Sequence, residues 1–129
     1  MDPLEAVDLA IREARPQDAR ALLEFAQCKL RLAHSMARSG RHSDRHRDDA
    51  VLRLRRDAHD LLRRVLQLNT TPLRLAWAWL ELARVERLLN SSRSEAEHAL
   101  AEAERLGSID SKLRDQIANE RQALATLRG

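Results

Sequence analysis

Residues 71–107 read TPLRLAWAWLELARVERLLNSSRSEAEHALAEAERLG, and they set the architecture. Thr71 followed by Pro72 places a cap residue before a proline at the first helical position, where a missing N–H is harmless. The pattern predicts a helix over 72–89. Ser92, with Glu95 three residues on, forms a capping box and opens a second helix that stops at Gly107. The connection between them is too short for anything but a helical hairpin.

The chain before this hairpin repeats the arrangement in expanded form. Residues 49–68 carry Val51, Leu54, Ala58, Leu61, Val65 and Leu68 at alternating steps of three and four, the one buried stripe of a third helix. Residues 40–48, GRHSDRHRD, hold no apolar side chain and read as a solvated loop. A long helix is predicted from Pro16 to about Ser39, with Gly40 as its stop. Asp2, Pro3 and Glu5 form another cap, and the helix they open ends near Ala14, because the residue before Pro16 resists the α conformation. The starting Met with this cap suits a natural N-terminus. Downstream, 110–127 form a last helix with Leu113, Ile117, Leu124 and Leu127 as its stripe. Only small Ala118 and Ala123 lie between 117 and 124, so one face is expected to meet water.

Composition agrees. The 129 residues suit one domain, and 23 Leu with 20 Ala stand against only 10 Val, Ile and Thr together, which favours helix and starves strands. The fold class is all-α. Organisation is expected as 1–15 (N-terminal helix), 16–68 (an expanded helix pair), 72–107 (a second pair) and 108–129 (a capping helix). No apolar run reaches the roughly 18 to 20 residues of a membrane span. The N-terminus lacks the basic start and apolar stretch of a secretory signal, and the single Cys28 cannot pair within the chain. A cytoplasmic protein is expected. Net charge is +3, from 23 basic and 20 acidic residues mixed along the chain.

An internal repeat ties the halves together. Leu22 to Ala26 (LLEFA) match Trp79 to Ala83 (WLELA), and Ala58, Leu62, Val65 and Leu68 match Ala96, Leu100, Ala103 and Leu106. The second unit resembles a tetratricopeptide repeat: Trp79, Leu82 and Ala83 stand for its aromatic, leucine and small residue, and Ala96, Leu100 and Ala103 for its later Ala-x3-Phe-x2-Ala. Glu86 departs from the pattern, which has an aromatic there, and the proline that closes each repeat is missing. The resemblance covers about residues 19–127. It implies a short α-solenoid of five or six helices in antiparallel hairpins, with a terminal cap and a concave groove lined by the first helix of each pair.

No catalytic constellation can be written. Glycine occurs only at 40, 107 and 129, which excludes a phosphate loop and a dinucleotide fingerprint; nucleophile elbow, zinc-ligand spacing and HExxH helix are also lacking. Cys28, mid-helix, reads as a small hydrophobe. His42 and His46, four apart among Asp44, Asp48 and Asp49, form the one metal-like group, but on a segment that reads as loop. No cofactor and no enzyme activity are expected.

The informative pair is Trp77 and Trp79. Two residues apart on a helix means about 200° of rotation, so the rings face different ways. With Trp79 as the packing residue, the resemblance puts Trp77 in the groove with Leu80, Arg84 and Arg87, facing Leu23, Gln27 and Arg31 of the helix over 16–39. The alternative is Trp77 packed under the N-terminal helix or the helix over 49–68. Aromatic and arginine side chains in a groove are the composition of interface anchors. The expected function is therefore protein binding, as an adaptor or scaffold holding an acidic segment between the helices over 16–39 and 72–89.

Two further readings stand beside it. Arg38, Arg41, Arg45, Arg47, Arg53, Arg55 and Arg56 form a basic run suited to phosphates of a nucleic acid or to an acidic partner, though acids interrupt it and no aromatic is near for stacking. A structural subunit is the other reading, since two repeats are fewer than a self-sufficient solenoid uses. Its partner would be a larger complex or a second copy, stacked by acidic Glu95, Glu97, Glu102 and Glu104 against the basic run.

Overall fold

A computed structural model describes residues 3–6, 18–39, 45–90 and 92–127. Among them the chain is helical throughout its regular structure, with no strand. Five long helices follow in order: α1 (Ala19–Arg38), α2 (Arg45–Leu66), α3 (Pro72–Leu88), α4 (Arg93–Gly107) and α5 (Ser111–Ala125). Residues 3–6 are helical as well. The rest of the expected N-terminal helix, Pro16, Gly40, Arg41 and His42 lie outside the described residues.

Side-chain caps fix most of the starts. Asp18 accepts from the Ala21 amide at 3.1 Å, Thr71 from Arg74 at 3.2 Å, and Asp110 from Leu113 at 2.9 Å. Ser92 accepts from Glu95 at 3.4 Å, as the capping box predicts. The first long helix thus starts at Ala19, three residues past the proline that was expected to open it, because Asp18 supplies the carboxylate cap. α2 begins at Arg45, so residues 45–48 of the expected loop are helical. Arg45, His46 and Asp48 are exposed while Arg47 is half-buried, and Asp48 in the first turn suits the positive end of the helix dipole. Between α3 and α4, Asn90 takes φ 56°, the left-handed conformation that a short hairpin turn demands and asparagine tolerates.

α3 organises the molecule, and its sequence shows how. At 3.6 residues per turn its side chains fall into four stripes. Ala78, Leu82 and Val85 pack with Ala19, Leu22, Leu23, Ala26 and Leu30 of α1 and Ala58, Leu61, Leu62 and Val65 of α2. On the opposite side Ala76, Leu80 and Ala83 pack with Ala96, Ala99, Leu100 and Ala103 of α4 and Leu113, Ile117 and Leu124 of α5. Between the two cores lie a stripe of Trp77, Glu81, Arg84 and Leu88 and, opposite it, Trp79 and Glu86. A smaller cluster of Ala33, Val51 and Leu54 closes the far end of the α1–α2 hairpin, with Leu4 packed on it.

The α5 stripe departs from expectation at two places. Leu127 lies past the helix and is exposed. The gap between 117 and 124 is filled by Glu120, a buried carboxylate. Gly107 ends α4 without a positive φ, so conformational freedom is not its role. A Cβ there would overlap the Leu113 side chain and come 2.8 Å from Ala76 Cβ. Its bare Cα lets α3, α4 and α5 meet. No described helix is long and apolar enough to cross a membrane.

Candidate functional site

The Trp77 stripe of α3 forms the floor of a groove of about 840 Å³. α1 supplies one wall through Leu23, Gln27, Leu30 and Arg31, all on one face at helical spacing, and Lys112 and Gln116 of α5 supply the other. Six of the seven residues expected in a groove therefore meet there: Leu23, Gln27, Arg31, Trp77, Arg84 and Arg87. Leu80 does not. It is 0 % exposed inside the second core, since three residues past Trp77 the helix has turned away from the groove. Trp77 itself is half-buried, packed against both cores while lining the groove; most of the N-terminal helix under which it could pack lies outside the described residues.

The two floor arginines already hold carboxylates. Arg84 donates to Glu81 at 2.8 Å, to Glu120 at 2.9 Å and to Gln116 at 3.1 Å. Arg87 donates to both oxygens of Glu120, at 2.9 and 3.3 Å. Burial alone would push the Glu120 carboxyl up, but the hydrogen bonds and charges of Arg87 and Arg84 together hold it below its usual range. Glu81, more deeply enclosed, goes the other way: burial raises it, with the Glu120 charge adding, against opposing pulls from Arg84 and Arg31. Sequence reasoning missed Glu81, Glu120, Gln116 and Lys112. Part of the signal was present, because Lys112, Gln116 and Glu120 recur every four residues along α5, the last of them on its buried stripe.

Two other buried charges join helices. Lys29, 2 % exposed, reaches Asp57 of α2 at 3.3 Å. Glu86, at the aromatic position of the repeat pattern, is buried and shares a 2.6 Å hydrogen bond with His59 Nε2. Glu86 also borders a second hollow of about 530 Å³ on the side away from the groove, where Trp79 meets His98 edge-on at 5.6 Å. The 200° between the tryptophans thus separates them onto opposite surfaces.

The basic run is divided by the fold. Arg38 is exposed on α1; Arg45, Arg53 and Arg56 are exposed on α2. Arg47 and Arg55 are half-buried on other sides of α2, Arg47 beside Asp48, and burial, with the Arg87 charge adding, lowers the Arg55 pKa. On α4, Glu97 pairs with Arg93, Glu102 with Arg105 and Glu104 with Arg121 of α5, so three of its four acids are answered within the chain. Among the described residues no group of three or more His, Cys, Asp or Glu is placed to hold a metal ion, and His46 is exposed. Comparison with protein-family models, curated proteins and solved structures found no match, so the groove's own geometry is what speaks for function.

Proposed function

We propose that this chain is a protein–protein interaction module, an adaptor or scaffold that acts by binding and holds an acidic segment of its partner in the groove between α1 and α3. One observation carries the reading: Leu23, Gln27, Arg31 and Trp77, assigned to a groove from the tetratricopeptide resemblance and helical register, line one open hollow of about 840 Å³. A half-buried tryptophan among leucines offers area to desolvate, and cations at the rim orient carboxylates. The order of packing supports a tetratricopeptide-like solenoid as the frame: α1 on α2, α2 on α3, α3 on α4, then α5 against both α3 and α4. The N-terminal helix and α5 would be its ends.

The test is capture from nuclease-treated native lysate by wild type and Trp77→Ala. The reading expects a protein retained by wild type and lost by a variant whose far-UV helical signal is unchanged. Equal loss of stability and binding would assign Trp77 to the core instead. A structural subunit is the second reading, favoured by Ile109, 97 % exposed in the α4–α5 turn, with Leu73 exposed as well. It predicts a mass in sedimentation that rises with concentration.

A further inference from the structure

We infer that the partner's carboxylates are read by Arg31 and Lys112, one from each wall, and that the segment they hold carries an apolar side chain between two acidic ones. This rests on the groove reading above and names its ligand chemistry. The acids in and under the groove already have arginines: Glu24 has Arg20, Glu81 has Arg84, and Glu120 has both Arg84 and Arg87. A partner carboxylate offered to Arg84 or Arg87 would have to displace Glu120, which is buried and anchored to both, and leave it unpaired.

Arg31 and Lys112 are different. Both are exposed at the groove, and neither has a carboxylate within ion-pair distance among the described residues. Arg31 donates only to Cys28 Sγ at 3.4 Å, a weak acceptor. Leu113 packs beside Ala76, so its neighbour Lys112 stands toward the Trp77 end of the floor. Arg31 stands across the groove on α1, close enough for its charge to act on Glu81. Trp77 and Leu23 line the same groove as the two cations and suit an aliphatic or aromatic side chain. A nucleic acid suits the groove less well, because Glu24 on one wall and Glu81 on the floor take up Arg20 and Arg84 and leave no continuous cationic track for a polyanion.

The test is selection from a phage-displayed library of random 12-residue peptides against the immobilised full chain, as wild type, Trp77→Ala, and Arg31→Glu/Lys112→Glu. Circular dichroism confirms that each variant is folded. Wild type is expected to select peptides with an apolar residue flanked by Asp or Glu. The best of them should bind the charge-reversed pair at least about tenfold more weakly, and that variant should select neutral or basic peptides. If both proteins select the same acidic peptides with equal affinity while Trp77→Ala loses them, the assignment of Arg31 and Lys112 fails and the groove reading survives. If wild type selects nothing, the groove reading itself fails. Displacement of the peptides from wild type, but not from the charge-reversed pair, by single-stranded oligothymidylate would overturn the assignment in favour of nucleic acid.

Discussion

Glu120 shows how one side chain can make a helix face readable only in part. Its spacing from Leu113, Ile117 and Leu124 puts it on the buried stripe, so a carboxylate there needs a partner. The gap in apolar residues reads as a solvated face, because nothing local reveals that Arg84 and Arg87 lie opposite. Removing the carboxylate leaves two guanidinium groups that retain some contact with water, 29 % and 24 % exposed at the side chain. Glu120→Ala is therefore expected to cost about 2 kcal/mol, at the low end for a broken enclosed pair, measured by urea unfolding. The pH dependence has two opposing parts. Glu120, held below its usual range, contributes stability that is complete above the unfolded carboxylate value and lost as pH falls through its folded value. Glu81, raised, binds its proton more tightly folded than unfolded, so its contribution is present in acid and lost as pH rises from the usual carboxylate range through its folded value. Glu81→Gln should abolish that second decline and leave the acid limb intact, a difference visible in melting temperature followed from acid to neutral pH.

Among the elements, α3 was the most legible and α2 the least. Pro72 after Thr71 marks the start of α3 without ambiguity, and its alternating apolar residues at two registers already imply burial on two sides. The start of α2 was misplaced because a run of Arg, His and Asp has no apolar period, and helix propensity for such residues differs too little to separate loop from helix. Gly107 was placed correctly as an end but for the wrong reason. It is an interface residue, and adding one methyl there forces Leu113 and Ala76 apart. Gly107→Ala should lower stability by about 1 to 3 kcal/mol, the usual range for overpacking. A compensating Leu113→Ala in the same chain should not restore the wild-type value, since it removes buried area from the second core. Thermal unfolding of the single and double variants checks both statements.

Among the described residues two main cores lie on either side of one helix, with a smaller cluster at the far end of the α1–α2 hairpin, and this layout followed from the sequence more readily than the site did. Repeat matching aligned the hairpins, and helical rotation assigned Trp77 and Trp79 to different surfaces. What could not be read was which cations remain available, because that depends on pairings 32 to 36 residues apart between α3 and α5. The four-residue recurrence of Lys112, Gln116 and Glu120 marks one face of α5 but not what lies opposite it, so the pairing of Arg84 and Arg87 with Glu120 was not legible. The separation of the two tryptophans has an optical consequence. The chain has two Trp and no Tyr, so these rings alone dominate its near-ultraviolet emission, and each reports on one surface. A Trp79→Phe protein would carry a single fluorophore in the groove and a Trp77→Phe protein a single one in the opposite hollow. A ligand entering the groove should shift the emission of the first and leave the second unchanged, which makes the molecule its own two-channel sensor of where binding occurs.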